Sequence, residues 1–201
     1  VISGFDSIST PRISGELILE LSHQTPRWSL ALGRWLGVWF TVTLPTMTLC
    51  LGAIWIIFLR RDQWVSIEDI FVFMIATALL IAWYTSIQLI ASTLARDGGT
   101  ALALGIGTWV IFTTLWILVT FVIASFFGLN PTDSSNQRLI ELTTIVDLFS
   151  PNGVYQLLLQ SRLPNDRGVV IPVSTIWSSA LAWTIFPFYI LVHRFQKLSP
   201  N

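Results

Sequence analysis

Residues 101–127 read ALALGIGTWVIFTTLWILVTFVIASFF, with no Asp, Glu, Lys or Arg among them. A helix rises about 1.5 Å per residue and the hydrocarbon core of a bilayer is roughly 30 Å thick, so about 20 apolar residues cross it. This stretch is long enough. A charge at mid-membrane costs about 2.5–3.5 kcal/mol on insertion scales, so uncharged composition is what lipid selects. Gly105, Gly107 and Thr108 are small, and small residues let helices approach closely.

Three further runs have the same character: Leu36–Leu59, Ile70–Ala95 and Val169–Val192. Spans are therefore predicted at 35–59, 69–95, 101–127 and 169–193, in one all-α, polytopic membrane domain covering 1–201. Composition agrees, with 53% hydrophobic and 11% charged residues and a mean hydropathy of +0.70, where soluble domains carry about 25% charged residues. Eleven basic residues balance eleven acidic ones, so nothing points to nucleic acid as a partner.

Between the spans the chain is polar but patterned. Residues 1–5 are apolar and read either as the end of a preceding span or as an ordinary disordered start. Residues 6–34 form a polar segment in which Ile13, Leu17 and Leu21 recur at helical spacing around Glu16, Glu20 and His23. That predicts a short amphipathic helix, started by Pro11 and ended by Thr25-Pro26. Trp28, Arg34, Trp35 and Trp39 read as an aromatic and basic membrane rim. Arg96-Asp97-Gly98-Gly99 is a tight turn, which makes spans two and three a hairpin. The 128–168 loop contains helical spacing over Arg138–Phe149 and Pro151–Leu163, too short to span. Six basic residues fall on the side that holds 6–34, the Arg96 turn and the C-terminus, against five on the other. The charge bias of the short turns makes the first side cytoplasmic.

Few residues suggest chemistry. Cys50 is alone, so it forms neither an internal disulfide nor a metal cluster. His23 and His193 lie in no ligand-spaced motif. Gly98-Gly99 lacks the Lys-Ser/Thr of a phosphate-cradling loop. No metal and no cofactor is expected on this chain, and no catalytic residue stands out. Within the spans, Gln88 is the most polar side chain; it reads as an interhelical hydrogen bond ahead of a pathway residue. Thr41, Thr43, Thr46 and Thr48 surround Pro45, whose ring removes a backbone hydrogen bond that nearby threonines can offset. Thr41 and Thr48 are candidate pathway residues, though such threonines more often serve packing. The segment 11–23 is the strongest functional candidate. An anionic leaflet repels Glu16 and Glu20, which favours docking to a soluble partner over resting on lipid.

The order of these parts resembles the type-2 ABC transporter permeases. The resemblance rests on Phe5-Asp6-Ser7-Ile8, Gly15-Glu16-Leu17, Leu19–Ser22, Pro26-Arg27-Trp28 and Leu32-Gly33-Arg34. It continues through Ala95-Arg96 and Thr100–Gly105 to Trp109, and in Phe149-Ser150-Pro151-Asn152-Gly153-Val154-Tyr155 before the last span. Within that family it resembles NosY-like permeases, of the copper-site maturation system of nitrous oxide reductase. The resemblance implies six spans, of which this chain would lack the first and most of the second. It implies that the segment around Arg12, Gly15, Glu16, Leu17, Glu20 and Pro26 couples to an ATPase, and that Tyr155 belongs to outer gate helices. It further implies an exporter in a prokaryotic plasma membrane, two permeases (identical or paralogous) with two ATP-binding subunits, and ATP and Mg²⁺ on the partner alone. The sequence departs from the family in carrying Arg12-Ile13-Ser14 where acidic residues are usual, and Glu16 for a Thr. Those departures keep a second expectation open, a non-transporting structural subunit of a larger membrane complex.

Overall fold

A computed structural model describes residues 26–61, 64, 66–133, 135–162 and 171–197, so the segment 11–23 lies outside the described residues. Among the described residues every regular element is a helix, with no strand. Four helices are long and apolar enough to cross a membrane: α1 (Arg27–Arg61), α2 (Ile67–Leu94), α3 (Gly98–Phe126) and α6 (Val173–Gln196). Two short helices, α4 (Gln137–Asp147) and α5 (Pro151–Gln160), precede the last of them. Contacts divide the described residues into two units, one within Val1–Val65, Ile81–Trp109 and Thr184–Asn201, the other within Ser66–Leu80 and Val110–Trp183.

The first unit is held by indole and amide donors that reach across helices. Trp35 Nε1 donates to Ser86 Oγ at 2.8 Å, and Trp83 Nε1 donates to Thr184 Oγ1 at 2.9 Å. Gln88 Nε2 donates to the Ala101 carbonyl at 3.4 Å, across the α2–α3 hairpin. The amide lies over Gly105, where a Cβ would collide with it, so the glycine is what allows Gln88 its place. These partners make α2 the most enclosed span: a third of its most apolar window is buried (33%), against 6% for α1. Polar residues Thr85, Ser86, Gln88 and Ser92 accordingly sit inside this unit.

Helix α1 starts at Arg27, ahead of its apolar run. Its 35 residues make a rod of about 52 Å, well beyond the ~30 Å core. The extra turns are fixed by packing. Ala31 joins Leu89, Leu191 and Phe195 in a buried cluster, and Arg27 Nη1 donates to the Gln196 carbonyl at 2.7 Å, where the α6 dipole favours a cation. The Arg34 guanidinium stands 6.0 Å from the centre of the Phe195 ring. Trp28 is exposed, as a rim residue should be, but Trp35 turns inward, stacked on Trp39 and edge-on to Phe188. Helix α1 runs through Pro45. The hydroxyls of Thr41, Thr46 and Thr48 donate to the carbonyls of Gly37, Val42 and Leu44, and not to the Thr41 carbonyl that Pro45 leaves free.

In the second unit, α3 contains a π-helical turn at Ile111–Leu115 and ends at Phe126, followed by Gly128, whose φ of 69° is the left-handed conformation that closes a helix C-terminus. Asn136 Oδ1 caps α4 and Ser150 Oγ caps α5, with Pro151 at the first helical position. Arg162 and Glu68 form an ion pair at 3.2 Å, but both are exposed, so it adds little.

Asp97 shapes the hairpin turn. Its Oδ1 accepts the Thr100 N–H at 2.7 Å and its Oδ2 accepts the Thr100 hydroxyl at 3.0 Å, which caps α3. These bonds, the backbone one first, hold the carboxyl below its ordinary range. A carboxyl with a lowered folded pKa stabilises the fold above its unfolded value and ceases to do so as pH falls through the folded one. Asp97→Ala should therefore lower the thermal midpoint of the detergent-purified protein at neutral pH. The gap to wild type should narrow once pH drops below the ordinary aspartate value of about 3.9. Asp97→Asn, which still caps, should fall between the two in a thermal melt.

Candidate functional site

The second unit encloses an open cavity of about 390 Å³. Three elements build it. Helix α3 contributes Phe112, Thr113, Trp116 and Phe121, the first two from its π-helical turn. That wider turn changes which side chains face one way, and such turns recur at functional sites. Helix α4 contributes Asp147, its last residue, and α5 contributes Asn152 and Gln156.

The α4–α5 corner is held by its backbone. A Cβ on Gly153 would run into the Asp147 main chain, so glycine lets the two helices touch. The Leu148 carbonyl accepts two bonds from α6, from Ser179 Oγ at 2.7 Å and Trp183 Nε1 at 3.2 Å. Trp183 also meets Phe112 edge-on at 5.5 Å, and Phe112 lies 5.5 Å from Trp116. The cavity wall is therefore tied to the last span through one carbonyl and an aromatic chain.

Asp147 is partly buried. Burial raises its pKa above the ordinary carboxylate range, and the nearby Trp116 indole N–H pulls the other way. Trp116 Nε1 is itself buried and meets no acceptor in hydrogen-bond geometry. Among the described residues, Asp147 is the only charged one on the cavity wall.

The residues singled out in the sequence fall elsewhere. Arg12, Gly15, Glu16, Leu17 and Glu20 lie outside the described residues; Pro26 is exposed just ahead of α1, its carbonyl accepting the Ser29 N–H at 2.9 Å. Thr41 and Thr48 are exposed on α1 with their hydroxyls turned to their own backbone. Gln88 is buried against α3, with its Oε1 unpaired. Tyr155 is half-buried on α5 but is not among the cavity-lining residues. Asp147 and Trp116 were not marked by the sequence reading. The available signal was a lone acid in the otherwise uncharged run Leu142–Phe149, directly before the Ser150-Pro151 helix start.

Gly153→Ala tests the corner. Helix propensity alone would favour it by about 1 kcal/mol. Because the new methyl meets backbone, which cannot swing aside, the variant should instead lose about 1–3 kcal/mol in denaturant unfolding of the purified protein.

Comparison with known proteins agrees with this architecture. No curated protein matches the chain. The sequence profile described as ABC-2 family transporter protein matches residues 1–199, well over half of the chain. An all-helical chain with four span-length helices is consistent with such a membrane domain. The chain belongs to the ABC-2 transporter family, as a multi-pass membrane permease component of an ABC transporter.

Proposed function

We propose that this chain is the membrane subunit of an ATP-driven exporter of NosY-like type, in the plasma membrane of a prokaryote. It works with a separate ATP-binding subunit and with a second permease, a copy of itself or a paralogue. ATP and Mg²⁺ act on the partner, and the permease does no catalysis of its own. The observation that carries this reading is the family match over residues 1–199.

The coupling element in this reading is the segment of Arg12, Gly15, Glu16, Leu17, Glu20 and Pro26, on the cytoplasmic side with the C-terminus. Its mechanical logic follows from α1. Pro26 leads straight into a helix whose first turns are bound to α6 through Arg27, Ala31 and Arg34. A displacement of the segment is thus delivered to two spans. ATP-driven closure moves the permease only so far as it favours one transmembrane arrangement over another, so the contact must differ between states. Thr41, Thr48, Gln88 and Tyr155 are the pathway or gate positions of this reading. Gln88 acts there by setting the α2–α3 spacing, given its seat on Gly105.

Two experiments test the proposal. Mild-detergent purification of the native protein should bring down an ATP-binding chain at near-equal stoichiometry; a large complex without one would make this a structural subunit. In the reconstituted complex, Gly15→Pro should abolish the stimulation of ATP hydrolysis by the permease while membrane insertion stays normal, since proline breaks a helix at a cost of about 3 kcal/mol. Unchanged stimulation would remove the coupling role from this segment.

A further inference from the structure

The Asp147 cavity holds one acidic group, partly buried. Among the described residues no cation lines it. Asp147 stands at the C-terminal end of α4, where the helix dipole disfavours an anion. The N-terminus of α5 is adjacent, but the Gly153 N–H there is already taken by Ser150 Oγ. The Trp116 N–H lies nearby but does not reach bonding geometry. A partly buried carboxylate in this position retains a desolvation cost that an incoming positive group would offset.

The rest of the wall says which positive group. Phe112, Trp116 and Phe121 present aromatic rings to the same space, and Thr113, Asn152 and Gln156 present neutral polar groups. Aromatic faces attract weakly hydrated cations, alkylammonium ions above all. A divalent metal needs several hard oxygen or imidazole donors, and among the described residues no three His, Cys, Asp or Glu gather to hold one. An anion is repelled by Asp147.

We propose that this cavity binds an organic monocation, its alkylammonium group seated between the Asp147 carboxylate and the aromatic side chains of Phe112, Trp116 and Phe121. The site needs no ATP and no partner to bind, so its test is independent of the exporter reading, and failure of one leaves the other standing.

The probe is radiolabelled tetraethylammonium, in equilibrium dialysis against the intact protein in nanodiscs, with sodium chloride holding ionic strength constant. Wild type should show saturable binding near one site per chain. Asp147→Asn should weaken it by about tenfold or more, and Phe112→Leu by a smaller factor. Asp147→Glu, which keeps the charge, should recover part of the affinity. Asn keeps the size and shape of the side chain, and a size-exclusion profile like wild type confirms that the Asn variant reports on binding. Absence of saturable binding by wild type, equal binding by wild type and Asp147→Asn, or equal binding of a neutral polyol would each overturn the proposal.

Discussion

A polar hydrogen inside a bilayer has only protein to bond with, and much of the first unit follows from that constraint. Water is absent from the core, so an indole N–H or a carboxamide must find a partner on a neighbouring helix or carry the cost. Trp35, Trp83 and Gln88 each solve this by reaching a different span: Ser86 on α2, Thr184 on α6 and the Ala101 carbonyl on α3. Each such bond contributes about 0.6 kcal/mol on average, so none holds the bundle alone. Their value lies in direction. Apolar packing alone leaves a helix free to rotate or slide against lipid-like neighbours, whereas a bond from Trp83 to Thr184 is made at one register only.

Close approach is the second requirement, and glycine supplies it at two points with different consequences. At Gly105 the neighbour is the end of the flexible Gln88 side chain. At Gly153 the neighbour is the Asp147 main chain, and the corner has no way to relax. The first glycine tunes a contact; the second is a condition for α4 and α5 to meet. With Leu148 held by Ser179 and Trp183, the corner gains a fixed attachment to α6.

The spans were legible in the sequence because transfer of apolar residues into lipid is a sum over some twenty positions, and no single neighbour can reverse it. The amphipathic α4 and α5 were legible for a similar reason, helped by Ser150-Pro151 as a start signal. What escaped depends on residues far apart in sequence. Arg27–Trp35 mixes charge with tryptophan and reads as a rim, yet it is helical because Ala31 packs on Leu191 and Phe195. Trp35 reads as an interfacial anchor, yet it serves Ser86 from within. The π-helical turn at Ile111–Leu115 has no propensity signature at all. The cavity needs Phe112, Asp147 and Gln156 from three elements, and no local pattern announces that meeting.

The placement of Asp147 follows from the same physics that keeps the spans uncharged. A carboxylate within a span faces hydrocarbon, and the insertion cost is paid before any function exists. A carboxylate at the end of a short helix between spans enters the chain as a loop residue. Packing of α4 and α5 against α3 takes it partly out of water, which is what raises its pKa. Its exposure is thus set by packing at the Gly153 corner, and the corner is tied to α6 through Leu148. A rearrangement of α6 that loosened the bonds from Ser179 and Trp183 would free the corner that keeps Asp147 partly out of water. The exposure of this carboxyl group and the seating of the last span thus rest on the same contacts, the Leu148 carbonyl with Ser179 and Trp183 and the Phe112–Trp183 ring pair.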